Sequence, residues 1–200
     1  VRALRTAGHD VLGLDRLASS TTDIVGSIVD RAVVRRALAG ADAVVHAATL
    51  HKPHVATHAR QQFVDTNVTG TLNLLEEAVE ARVSRFVFTS TTSAFGQALA
   101  PPPGAPAAWI TEDVSPVPRN VYGATKTAAE DLCQLVARDH GLPCVILRTS
   151  RFFPEEDDSP EVRDGYDPDN AKVNELLYRR VDLEDVVAAH LLALDRAPAL

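Results

Sequence analysis

The chain has 200 residues, of which 46% are hydrophobic, and a formal net charge of -7. That is enough for one domain with a proper core. The acidic balance excludes a general nucleic-acid binder, which would need a basic face, and no apolar run reaches the length of a membrane span. Cys133 and Cys144 make neither a disulfide framework nor a metal-ligand pattern. With no signal peptide ahead of the first pattern, a reducing cytoplasm is the simplest compartment.

Val1 to Gly8 reads as the end of an amphipathic helix, stopped by Gly8. The chain contains no Met, so the natural domain is expected to begin upstream, or the chain to be a fragment. His9 to Leu14 is a short apolar run that predicts a buried strand, ending in Asp15 and Arg16. Asp30 caps a helix through Leu38, with Gly40 after its end. Ala43 to Ala48 predicts the next strand. A loop with His51, Pro53 and His54 follows, then a largely helical stretch from Thr57 to Ala81. Arg85 to Ser90 predicts another strand. Thr91 to Asn120 is irregular and holds six of the twelve prolines, and a loop of that length in a compact domain is usually functional or mobile. The pattern predicts a helix from Tyr122 to about His140, ended by Gly141, and a strand from Pro143 to Arg148. Thr149 to Asn170 is polar and acidic. A short segment at about 176–181 follows, and Asp182 caps a last helix to about Leu194. Strands alternating with helices imply an α/β fold with a doubly wound parallel sheet.

In such a sheet, ligands sit beyond the carboxyl ends of the strands. That singles out Asp15 and the turns after His46, Phe88 and Arg148. Asp15 suits the ribose hydroxyls of NAD, while Arg16 suits a 2'-phosphate and leaves NADP open. In Val-Tyr-Gly-Ala-Thr-Lys (Val121 to Lys126), Tyr122 and Lys126 stand at i and i+4, on one helix face. A phenol there can exchange a proton, and a nearby ammonium is expected to lower its pKa. By itself Tyr-x-x-x-Lys also occurs on ordinary surface helices. The hydroxyl run Thr89 to Ser93 can hold a substrate oxygen while Tyr122 exchanges its proton.

Six stretches in this order resemble one family. They are Gly13 to Arg16, Val44 to Ala48, Asn67 to Leu75, Phe86 to Gly96, Tyr122 to Lys126, and Val181 to Val187. Together they resemble the extended short-chain dehydrogenase/reductases, the NAD-dependent epimerase/dehydratase group that includes UDP-galactose 4-epimerase. The resemblance implies a Rossmann-type sheet in one domain over 1–200, with a short substrate-side segment at about 149–181. It implies that Tyr122 is the acid/base and that Lys126 binds the nicotinamide ribose. It places the active-site hydroxyl on Thr91, with Ser90 and Thr92 as alternatives, and substrate contacts on Thr91, Thr92, Ser93 and Arg151. Cofactor contacts would come from Asp15, Arg16, Ile28, Ala47, Ala48, Asn67, Thr89, Tyr122, Lys126, Thr149 and Ser150. It further implies NAD as cofactor, a small-molecule substrate such as a nucleotide sugar, and a homodimer through the Asn67 and Tyr122 helices.

The chain departs from that pattern in four places. No Gly-rich turn occurs in it, and the first strand and turn are expected just upstream of Val1. Gly26 is followed by Ser27 rather than Asp, which shifts the adenine contact to the backbone near Ile28. Arg151 stands where the family has Asn, and its donor fork suits a carboxylate or phosphate. Only about thirty residues after Arg148 stand in for the family's substrate lobe. His51, His54 and His58 are close together but lack a completing ligand, so no metal is expected. The acidic run Glu155 to Asp158 reads as a solvated loop. Dehydration would call for carboxylates beside the hydroxyl run, and Thr89 to Ser93 has none. A second reading is a non-catalytic protein of the same fold that binds a dinucleotide or a partner.

Overall fold

A computed structural model describes residues 1–153 and 180–195. Its elements in chain order are α1 (Arg2–Thr6), β1 (Leu14–Asp15), β2 (Ile24–Val25), α2 (Arg31–Ala37), β3 (Ala43–His46), α3 (Arg60–Phe63), a π-turn (Val64–Thr69), α4 (Gly70–Glu80), β4 (Arg85–Thr91), α5 (Val121–His140), β5 (Cys144–Thr149), β6 (Arg151–Phe153), β7 (Arg180–Asp182) and α6 (Leu183–Asp195). Every strand pairing is parallel. β3, β4 and β5 form one sheet in that order, and β1–β2 and β6–β7 form separate pairs.

The central sheet is apolar because it is covered on both faces. Phe86, Val87 and Phe88 of β4 are fully buried. Phe86 and Phe88 pack in one cluster with Leu74, Leu75 and Ala78 of α4 and Ala129 and Cys133 of α5. The opposite face meets α6, where Arg85 Nη1 donates to the Ala193 carbonyl at 3.1 Å. The register sets His46 opposite Phe88 and Thr91 opposite Thr149. The carboxyl ends of the three strands therefore open on the same edge.

Helix ends follow the local chemistry. Asp30 accepts from the Ala32 and Val33 amides and caps α2. Gly141 ends α5 at φ 68°, a left-handed conformation that costs glycine nothing. Asp182 accepts from the Glu184 amide at 2.8 Å. Glu77 of α4 is buried and takes Arg31 at 2.6 Å and Arg35 at 2.9 Å, tying α2 to α4.

The strand expected over His9 to Leu14 is paired only at Leu14, and extends to Asp15. Gly13 is tied instead to Asp23, whose Oδ2 takes the Gly13 amide at 2.7 Å. Leu12 stays about half exposed. The long helix expected from Thr57 begins at Arg60 and carries the π-turn, and residues 52–56 form a 3₁₀ turn. Most of the expected substrate-side segment, with the acidic run Glu155 to Asp158, lies outside the described residues.

Candidate active site

Asn120 starts the site by capping α5, its Oδ1 accepting from the Gly123 amide at 3.0 Å. Gly123 is the one residue that fits there. A Cβ at this position would stand 2.6 Å from the Ser93 carbonyl oxygen, so only glycine lets the first turn of α5 seat against the turn after β4. This close approach brings Tyr122 to the end of β4, where its phenol lies beside the Thr91 hydroxyl. Both residues are buried.

Lys126 lies one turn further along α5 and is 2% exposed. Its Nζ donates to the Thr89 carbonyl at 2.7 Å and sits 3.8 Å from the centre of the Phe88 ring. The carbonyl takes one of three ammonium hydrogens, and the ring face stabilises the charge. Burial lowers the Lys126 pKa to about 7. Burial also raises the Tyr122 phenol above its ordinary value, and the neighbouring Thr91 hydroxyl offsets part of that rise. The lowering expected from Lys126 does not occur: desolvation raises the phenol, and the influence that opposes it comes from Thr91 and not from Lys126.

Asn67 anchors this arrangement from the π-turn, an irregularity frequent at functional sites. Its Oδ1 accepts from the Leu50 amide at 2.8 Å and from Thr49 Oγ1 at 3.0 Å. Its Nδ2 donates to the Leu50 carbonyl at 2.9 Å and to Thr125 Oγ1 at 3.0 Å. Thr125 in turn donates to the Val121 and Tyr122 carbonyls. Asn67 therefore holds the first turn of α5 to the loop after β3. Thr125 was not singled out in the sequence, although it lies inside the Tyr-x-x-x-Lys stretch.

His46 is a second residue with an unforeseen role. It is buried at the end of β3, with Nε2 2.9 Å from Thr71 Oγ1. Thr71 spends its own hydrogen on the Asn67 carbonyl at 2.7 Å, so His46 donates through Nε2. Burial, with Lys126 adding to it, pushes the His46 pKa down to about 3.

The structure sorts the hydroxyl run by direction. Thr89 Oγ1 stands 2.8 Å from His190 Nε2 of α6, so only its carbonyl faces Lys126. The Ser90 hydroxyl donates to Glu130 and is turned away from the strand-end opening. Thr91 is left as the hydroxyl that meets Tyr122. Thr149 Oγ1 donates to the Ser90 carbonyl at 3.0 Å. Thr92, Thr149 and Ser150, with Arg148 and Asp185, line a cleft of about 330 Å³. Arg151, expected on the substrate side, is exposed at the start of β6 and does not line that cleft. Ser93 is half-buried, and its amide donates to Thr91 Oγ1 at 3.1 Å.

The cofactor-side residues lie at the ends of their strands. Asp15 is exposed at the end of β1, where its Oδ1 accepts from the Leu17 amide at 2.9 Å, and Arg16 beside it is exposed. Ala47 and Ala48 are exposed just past β3. Ile28 is buried, and its carbonyl accepts from Asn73 Nδ2 at 3.0 Å. Among the described residues no cluster of ligating side chains fits a metal ion, and no helix is long and apolar enough to cross a membrane.

A sequence model described as the NAD dependent epimerase/dehydratase family matches residues 1–199. The chain belongs to this family. The low-salt glycan biosynthesis protein Agl12 of Haloferax volcanii is 35% identical over 130 residues that cover 65% of this chain and 40% of that protein. The UDP-glucose 4-epimerase of Lactobacillus helveticus is 29% identical over 232 residues, covering 97% of this chain and 67% of the enzyme. A crystal structure of a short-chain dehydrogenase/reductase superfamily protein from Agrobacterium tumefaciens with bound NAD superposes with a TM-score of 0.78 at 29% identity. That match covers 99% of this chain and 70% of the other. The fold is accordingly of Rossmann type, as the resemblance implied.

Proposed function

We propose that the full-length protein is an NAD-dependent oxidoreductase or epimerase acting on a hydroxyl group of a nucleotide sugar. The observation that carries this reading is the set Tyr122, Lys126 and Thr91, a buried phenol against a hydroxyl with a buried amine one helical turn on. Family membership and the relatives named as UDP-glucose 4-epimerase support the substrate class.

The residues present fit an NAD molecule at two points. The Asp15 carboxylate has the Leu17 amide as its only hydrogen-bond partner among the described residues, so it can accept from an adenosine ribose hydroxyl. Lys126 keeps ammonium hydrogens beyond the one given to Thr89, and these suit the nicotinamide ribose. Ala47 and Ala48, exposed just past β3, would line the dinucleotide. Thr149 and Ser150 would flank the nicotinamide. Asp15 favours NAD over NADP. The cofactor would supply the hydride acceptor.

Thr91 would hold the substrate oxygen, and Tyr122 would take the hydroxyl proton and return it to the same oxygen. Thr92 and Ser93 extend the hydroxyl surface, while Arg151 would meet an anionic part of the substrate. Elimination would need a carboxylate able to protonate a departing hydroxyl. Thr91, Thr92 and Ser93 offer none, which favours epimerisation or oxidation over dehydration. We further propose that two copies pair through the π-turn–α4 and α5 helices, where Val64 and Leu135 are exposed apolar side chains.

The test is conversion of UDP-glucose by the full-length protein with NAD, followed by chromatography of the sugar nucleotide. The expected result is formation of the 4-epimer or of the keto sugar. Binding of NAD without any change in UDP-glucose or other nucleotide sugars would overturn the substrate reading.

A further inference from the structure

Tyr122, Lys126 and Glu130 stand at i, i+4 and i+8 of α5, on one face. Three consecutive residues of β4 answer them. The Thr91 hydroxyl lies beside the Tyr122 phenol, the Thr89 carbonyl takes Lys126 Nζ at 2.7 Å, and the Ser90 hydroxyl donates to Glu130. The third rung lies outside the proposed chemistry, because Ser90 and Glu130 are both buried away from the cleft.

Glu130 is 1% exposed, and its carboxylate is held by Ser90 and Arg148. Arg148 of β5 forks onto it, with Nε at 3.2 Å from Oε1 and 3.1 Å from Oε2, and Nη2 at 2.8 Å from Oε2. The same guanidinium lies 4.8 Å from the centre of the Phe95 ring. Phe95 follows the short turn Thr92–Ala94 that Thr91 caps through its side chain. The Glu130 cluster therefore holds side chains on both sides of Thr91, the Ser90 hydroxyl before it and the Phe95 ring after it. A buried ion pair gives little net stability over an apolar pair of the same size. What it adds is direction, since each donor and acceptor admits only a narrow range of angles.

We infer that Glu130 is a positioning residue, which through Ser90 and Arg148 holds the end of β4 in register with Tyr122 and Lys126. This inference rests on the proposed function for its kinetic consequence, but the placement of Lys126 can be read without turnover. The groups facing Lys126 are Cys133 and Glu130 on its own helix, His46 on β3, and the Phe88 ring and Thr89 carbonyl on β4. Against the lowering by burial, Cys133 and then Glu130 raise the Lys126 pKa.

The experiment uses the full-length protein carrying Glu130→Gln, Glu130→Asp or Ser90→Ala. Lysine ¹³Cε resonances are titrated by NMR, and kcat, KM and the NAD Kd are measured on the same samples. In the unaltered protein Lys126 titrates near pH 7. Glu130→Gln is expected to lower that midpoint by about half a pH unit or more. It should also cut kcat by about tenfold while KM and the NAD Kd stay within about twofold. Glu130→Asp, which keeps the charge, is expected to recover part of both effects. If Glu130→Gln does not fold, Ser90→Ala carries the kinetic expectation at a severalfold loss, together with a displaced Lys126 midpoint. A Lys126 midpoint that stays fixed in the folded variants would overturn the inference, whatever turnover does. A shifted midpoint in a protein that turns over no nucleotide sugar would uphold the positioning role and sink the proposed function instead.

Discussion

At the scale of single residues, two buried polar groups define the site more sharply than its exposed ones. Asn67 satisfies all its hydrogen-bonding capacity between the loop after β3 and Thr125 of α5. Asn67→Ala would leave the Leu50 amide and carbonyl without these partners. It is expected to cost roughly 2 kcal/mol or more in urea melts and to lower kcat, because the turn carrying Tyr122 loses its tie. His46 makes a pH prediction. Its pKa falls to about 3 in the fold from an unfolded value of about 6.5. Between those values the unfolded chain binds one proton more than the folded one. The stability His46 contributes is therefore complete above about pH 6.5 and is lost as the pH falls toward 3. Urea midpoints across that window should show a slope of about 1.4 kcal/mol per pH unit from this residue. His46→Gln should flatten it, and an unchanged slope would contradict the buried neutral imidazole.

At the scale of elements, the caps and the strand ends were legible and the irregular segments were not. Asp30, Gly141 and Asp182 announce helix ends because their chemistry is local, and each does what its position implies. Replacing Asp30 by Ala should cost about 1 kcal/mol in thermal melts. The π-turn at Val64–Thr69 was hidden because nothing local demands it. It is fixed by Asn67 reaching Leu50 and Thr125, which are distant in sequence. The pairing of β1 with β2 was hidden for a similar reason, since Ile24–Val25 is too short to carry a period. Gly123 shows how a single position can set an element. Its replacement by Ala would push the Ser93 carbonyl from α5, and kcat is expected to fall with little change in NAD affinity.

At the scale of the whole molecule, the order of six short stretches gave the family, and the ends of parallel strands gave the place of the site. The resemblance put Thr91 ahead of Ser90 and Thr92, but the residues alone do not show why, because that choice depends on which face of β4 meets α5. Nor could the sequence show that Glu130 and Arg148 meet, being separated by a helix end and a strand. If α5 pairs with a second copy, Leu135→Glu should convert a dimer to a monomer in light scattering, and a monomer before the change would contradict the pairing. The central claim is that Tyr122 moves the substrate proton. Its most direct test is Tyr122→Phe in the full-length protein, with NAD affinity and turnover measured together. The account predicts unchanged NAD binding, within about twofold, and turnover reduced by at least about a hundredfold. Turnover that survives the loss of the phenol would contradict it.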